Sequence, residues 1–193
     1  MEREYDALPI RELGAGAGFR RPAQAQSGKV SVESPALDVM TDLRRTTPAT
    51  IRPQAPLAGA NQFMIIRGVR LLLVADDREK VLGVITATDI LGERAMRVAT
   101  ARSLRRDELT VADVMIPAEQ VEVIALEDAA AARVGHVLET LRRAGRQHVL
   151  VVDAERMVCG IFSLSQIARQ LGVSVATGGE VALTFSEIEA AIR

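Results

Sequence analysis

The chain has 193 residues, 24 of them Lys or Arg against 25 Asp or Glu, for a formal net charge of −1. That balance excludes a general electrostatic affinity for nucleic acid or for an anionic membrane surface. The length suits one ordinary domain or two small ones of similar fold, and 48% apolar residues supply material for a core.

Cys159 is the single cysteine, which rules out an intrachain disulfide. The opening MEREYDALPI is charged and lacks the apolar run of a secretory signal. No stretch approaches the roughly 18 apolar residues that span a bilayer. The expected compartment is therefore the cytoplasm, with neither membrane nor nucleic acid as a partner.

Residues 1–33 have no sustained periodicity and read as an N-terminal tail. Glycines 14, 16 and 18 are spaced G-x-G-x-G with no strand before them and Pro22 close behind, which does not make a dinucleotide fingerprint. From residue 34 the chain repeats itself. LDVMTDL is answered by VADVMIP, so that Asp38-Val39-Met40 falls on Asp113-Val114-Met115. TIRPQAPL is matched by VIALEDAA, RGVRLLLVAD by AGRQHVLVVD, and REKVLGVITATDI by ERMVCGIFSLSQI. The copies are assigned to residues 34–103 and 104–172, with a C-terminal extension over 173–193.

Each copy reads as a short helix, a strand, a helix, a hairpin of two strands and a closing helix. LLLVA and HVLVV are continuous apolar runs, the pattern of strands covered on both faces. DDREK and DAERM are charged turns joining such runs, a hairpin signature. NQFMII and VGHVLETL place apolar residues at helical spacing, and the second copy has more helix before its second strand. The fold class is α/β (α+β), two three-stranded sheets with flanking helices. Three strands are too few to stand alone, so the copies are expected to pack sheet to sheet around a shared core as a pseudo-twofold pair. In the extension, Thr184 and Glu187 have capping-box spacing ahead of a last helix.

The motif with most chemistry is GVITATDI, residues 83–90, repeated as GIFSLSQI at 160–167. Thr86 and Asp89 are three residues apart where a strand gives way to a helix, and Ser163 and Gln166 have the same spacing. Both pairs suit a capping box. The same geometry suits a nucleotide: a hydroxyl at the helix start for phosphate, and a carboxylate one turn in for both hydroxyls of a ribose. Glutamine at 166 keeps hydrogen bonding but loses the charge. The first copy is thus the better ribose site, and the second is degraded or adapted.

In their order, DVMT, TIRPQAPL, RGVRLLLVAD and GVITATDIL resemble a CBS domain, named after cystathionine β-synthase. The tandem arrangement over 34–172 is similar to a CBS pair, or Bateman module. The family pattern G-h-h-[ST]-x-x-[DN] fits Gly83, Thr86 and Asp89, and it fits Gly160 and Ser163 but fails at Gln166. Leu73 stands where proline is common. The resemblance implies a non-catalytic, energy-sensing regulatory module. It would bind AMP, ADP or ATP, with S-adenosylmethionine as another ligand, in the cleft between repeats.

Carried over, Thr86 meets phosphate and Asp89 the ribose. Thr50 and Ile51 lie near the base, and Arg70 and His148 are placed where phosphate-facing residues occur. With no Trp and 3% aromatics, an adenine ring would be held by aliphatic side chains and strand backbone; Val84 and Ile85 are candidate walls or plain core. The family also implies a homodimer and a regulated partner protein.

Other chemistry is thin. Two histidines and one cysteine cannot close a tetrahedral zinc site without carboxylates. His136 reads as a partly buried helix residue, His148 as the opening of a buried strand, and Cys159 as a small core residue. There is no G-x-S-x-G, H-E-x-x-H or Walker A motif. The arginine doublets 44–45, 105–106 and 142–143 read as solvated, or as one lining a phosphate mouth. The alternative to a sensor is a ligand-free interaction or oligomerisation scaffold in which Thr86 and Asp89 only cap.

Overall fold

The computed structural model describes residues 30–173 together with Ile188. Most of the tail and the Thr184–Glu187 capping box lie outside the described residues. The first repeat opens with a 3-10 turn, Ala36–Val39, and then runs β1 (Thr41–Asp42), β2 (Thr50–Ile51), α1 (Leu57–Arg67), β3 (Leu71–Ala75), β4 (Val81–Thr86), α2 (Ala87–Leu91) and α3 (Glu93–Arg102). The second runs α4 (Val111–Val114), β5 (Ile116–Pro117), β6 (Val123–Ala125), α5 (Leu126–Ala131), α6 (Val134–Ala144), β7 (His148–Val152), β8 (Val158–Ser163) and α7 (Leu164–Gln170).

Local chemistry sets the repeated elements. α1 and α6 both stop at a glycine in the left-handed region, Gly68 at φ 64° and Gly145 at φ 61°, where a side chain is strained. Both hairpins turn through an aspartate: Asp76 Oδ1 accepts from the Arg78 and Lys80 amides, and Asp153 Oδ1 accepts from the Met157 amide. β3 is buried at all five positions, as its apolar run predicts. The extra helix of the second copy is α5.

Each sheet has four strands, one more than the three read from the sequence, and the fourth comes from the other repeat. One sheet has the order β2-β3-β4-β5 and the other β6-β7-β8-β1. In each, the first pair is parallel and the rest antiparallel. The borrowed strands have only two residues: Ile116 lies opposite Val84 and Pro117 opposite Gly83, while Thr41 lies opposite Ile161 and Asp42 opposite Gly160. The preceding helical turns cross with them. Ala36 and Val39 pack with Ala129, Val137, Leu141 and Phe162, and Leu109, Val111 and Val114 pack with Leu57, Met64 and Ile85. Repeats consecutive in sequence are therefore interlocked in space.

A third apolar cluster holds the two sheets together. Leu71, Leu73 and Val84 from one sheet meet Leu150 from the other, with Ile116 and Ile161 packed against them. This is the shared core expected of sheets too small to close alone.

Arg94 at the start of α3 locks one crossing. Its Nε donates to the Val114 carbonyl at 2.7 Å, and a terminal nitrogen donates to the Met115 carbonyl at 3.1 Å. Hydrogen bonds from a charged donor contribute about 1.5–3 kcal/mol each, and with two of them at a part-buried site Arg94→Ala is expected to cost about 3 kcal/mol in urea denaturation. Arg94→Lys, with one compact donor head, should recover only part of that.

Candidate functional site

The β4–α2 junction carries the first copy of the motif, and its capping box is complete. The Asp89 amide donates to Thr86 Oγ1 at 3.2 Å; in return Asp89 Oδ2 accepts from the Thr86 amide at 2.9 Å and from its hydroxyl at 2.6 Å. Thr86 therefore gives its single proton to Asp89. All of the carboxylate's contacts fall on Oδ2, and Oδ1 has no hydrogen-bond partner among the described residues.

A second box in the same chain provides the comparison. At the start of α4, Asp113 Oδ2 accepts from the Thr110 amide at 2.8 Å and from its hydroxyl at 2.7 Å. Its Oδ1 is paired with Arg102. Those hydrogen bonds from Thr110, with Arg102 beside it, hold the Asp113 carboxyl below its usual value. The Thr110 box is fully consumed by the fold; the Thr86 box leaves one carboxylate oxygen over.

The structure divides the expected residues into two groups. Thr50, Ile51, Arg70, Thr86 and Asp89 belong to the sheet containing β3. The Arg70 carbonyl accepts from the Ala87 amide at 2.9 Å, which ties the start of β3 to the start of α2. Thr50 is exposed on β2 opposite Leu73, and Ile51 is half-buried against the first repeat's core. Val84 and Ile85 are core residues, 5% and 0% exposed.

His148, Ser163 and Gln166 form the second group, with His148 directly opposite Ser163 in the β7–β8 ladder. The helix start here differs from the first. Ser163 makes no capping bond and lies 3.1 Å from the Ser165 hydroxyl. Gln166 Oε1 instead accepts from Thr41 Oγ1 at 2.9 Å, across the repeat boundary.

Arg70 links the groups. Its guanidinium makes no hydrogen bond or ion pair among the described residues, and its charge reaches His148. His148 stands where the other sheet has Leu71, at the seam between sheets. Burial first, and the Arg70 charge second, pull its pKa down to about 4, so the ring is neutral near pH 7.

His136 is exposed, not partly buried: its Nδ1 accepts from the Arg133 amide at 3.0 Å and so closes the start of α6. Cys159 is 3% exposed, a core residue as read. Five of the six doublet arginines have partners: Arg44 with Asp42, Arg105 with Asp107, Arg106 with the Ile90 carbonyl, and Arg142 and Arg143 with Glu139. Among the described residues no His, Cys, Asp or Glu cluster could hold a metal, and no helix is long and apolar enough to cross a membrane.

Sequence reading missed Thr41, Ile116 and Arg94. Thr41 and Ile116 each follow a repeated Asp-Val-Met, so the signal was present; its meaning, a crossing strand, was not.

The CBS domain family profile matches residues 37–95 and 111–172. A search of curated proteins finds no match. Among solved structures, an uncharacterized conserved protein from Pyrococcus horikoshii aligns at TM-score 0.56 and 21% identity, over 77% of this chain and 100% of that one. CBSX2, crystallised in complex with AMP, aligns at 0.51 and 22% over 72% and 94% of the two chains; the protein is from Arabidopsis thaliana. The CBS domain pair of MJ0100, in complex with 5′-methylthioadenosine and S-adenosyl-L-methionine, aligns at 0.52 and 23% over 72% and 96%. At these identities the likeness is one of fold. With the profile matching twice over more than half of the chain, and with two interlocked repeats in the structure, this protein belongs to the CBS-domain family, as a tandem pair.

Proposed function

We propose that the chain is a regulatory, non-catalytic module that binds an adenosyl nucleotide at the first repeat's motif. The observation that supports this best is the spare Oδ1 of Asp89, held in place by a capping box that uses only Oδ2. A fixed carboxylate with an unused oxygen suits the vicinal hydroxyls of a ribose. Arg70, half-buried with no acidic partner among the described residues, and His148 would face the phosphates. Thr50 and Ile51 would lie against the base. Thr86 reaches a phosphate only if its hydroxyl turns from Asp89, so in this reading it chiefly orients the carboxylate. AMP, ADP or ATP is the expected ligand class, with S-adenosylmethionine the other member; the AMP complex of CBSX2 and the S-adenosylmethionine complex of MJ0100 lend support.

A purely interacting scaffold is the second reading, and one observation favours it. Ile65 and Ile66 on α1 are 64% and 71% exposed, and Leu91 at the end of α2 and Met96 on α3 are also exposed. The repeat offset that puts Gly83 on Gly160 puts Ile65 and Ile66 on Arg142 and Arg143. An apolar face in one copy against a charged one in the other suits a protein contact. It serves the sensor equally, as the surface of a cytoplasmic homodimer or of the regulated partner.

The test is a thermal-shift titration with AMP, ADP, ATP and S-adenosylmethionine. Ligand at 100 times its Kd adds about 2.7 kcal/mol, raising the midpoint by roughly 5–10 °C. Asp89→Ala should abolish that rise. Asp113→Ala should lower the unliganded midpoint and leave the rise intact. No rise with any of the four ligands would leave the scaffold.

A further inference from the structure

The two sheets match in strand order and register, yet the places held by Asp89 and Gln166 are not equivalent, and the difference originates outside the motif. Asp89 and Gln166 occupy matching places, as do Thr86 and Ser163. The borrowed strands also match: Thr41 lies opposite Ile161 in one sheet, and Ile116 lies opposite Val84 in the other. At the first cleft the crossing strand thus presents isoleucine, and the acidic side chain keeps a free acceptor. At the second it presents Thr41, whose hydroxyl donates to Gln166 Oε1 at 2.9 Å. An amide has one acceptor oxygen and two donor hydrogens. With one of that oxygen's two acceptor sites taken by Thr41 and no charge on the group, Gln166 has less accepting capacity for the hydroxyls of a diol than the free Oδ1 of Asp89.

We infer that the Thr41–Gln166 hydrogen bond is the specificity element that closes the second cleft to ribose, so that the pair binds one nucleoside per chain. This rests on the nucleotide reading above and adds a residue outside the motif to it. Thr41 comes from the first repeat, so the start of one repeat sets the selectivity of the other. Replacing glutamine alone is not enough: Thr41 would then donate to an introduced carboxylate and occupy part of its accepting capacity.

The experiment is isothermal titration with AMP of the full chain, of Gln166→Asp, and of the Thr41→Val/Gln166→Asp double variant. Thr41→Val keeps the branched shape that suits β1 and replaces only the hydroxyl, by a methyl that cannot donate. The double variant should bind one more AMP than the parent, whether the parent binds one or none. Gln166→Asp alone should bind that extra AMP about tenfold more weakly.

No added equivalent in the double variant overturns the inference, as does a parent that already binds two. An added equivalent of equal affinity in both variants overturns the part given to Thr41. If the parent binds none but the double variant binds one, the inference stands and the first-cleft reading fails. Unliganded melting points report folding. Should the double variant not fold, Gln166→Asp decides alone: a weak added equivalent supports the inference, and none overturns it.

Discussion

Gly83→Ala is expected to destabilise the protein by about 3 kcal/mol, lowering its thermal midpoint by roughly 6–12 °C, whereas Gly160→Ala should cost about 1 kcal/mol. Both glycines open the same motif, so a rule based on the motif alone would rank them equally. The strand exchange separates them. A Cβ on Gly83 would stand 2.2 Å from the Ile116 carbonyl oxygen, and 3.1 Å from both the Ile116 carbonyl carbon and Pro117 Cα. All three atoms are backbone of β5, which cannot move aside without leaving the sheet. A Cβ on Gly160 would stand 2.4 Å from Met40 Sδ, the flexible end of a side chain that can change rotamer.

Displacing β5 also pulls on α4, whose Val111 and Val114 are fully buried in the first repeat's core. The loss in Gly83→Ala should therefore be global, seen as one cooperative transition at lower urea. Equal midpoints for the two variants would mean that the crossing backbone is not what requires glycine at this place.

The same comparison shows what the sequence made legible. The repeat, the hairpins and the two buried strands were readable because each is carried by several residues in a pattern: matched blocks in the same order, apolar runs of five, and charged turns between such runs. The exchanged strands were not. Thr41–Asp42 and Ile116–Pro117 are two residues each, shorter than any period can register. They exist because a neighbouring strand edge needs covering, a requirement that is tertiary.

The site divides in the same way. Thr86 and Asp89 were found by spacing, but spacing serves a cap and a ribose contact alike. Thr110 and Asp113 have that spacing too, and only the partner of the remaining oxygen tells the two apart: Arg102 in one case, no described partner in the other. Arg102 lies eleven residues from Asp113, on another helix. Likewise, Gln166 looked like a degraded aspartate, and its actual partner, Thr41, is 125 residues away.

Acid should destabilise the chain through His148 before it does so through the carboxylates. The native state holds this ring neutral down to about 4, against 6.5 for the free side chain. The unfolded state therefore binds a proton that the native state refuses between those values, and stability falls as the pH falls through that window. Above about 6.5 both states are neutral and nothing is lost; below about 4 both are charged and the loss is complete. The full window corresponds to about 3 kcal/mol, and Arg70 is part of the reason, because a charged ring would face its charge. Asp42, Asp113 and Glu139 have lowered values, Glu139 down to about 2, so their contributions remain until the pH drops below the ordinary carboxylate range. His148→Leu, which copies Leu71 on the opposite sheet, should then be nearly flat from pH 7.5 to 5 in urea denaturation. The parent should lose about 2 of its 3 kcal/mol over the same range, and the remainder below pH 5. Parallel curves for parent and variant would show that the ring charges freely in the folded chain, and the seam between the sheets would have to be wet enough to hold an imidazolium beside Arg70.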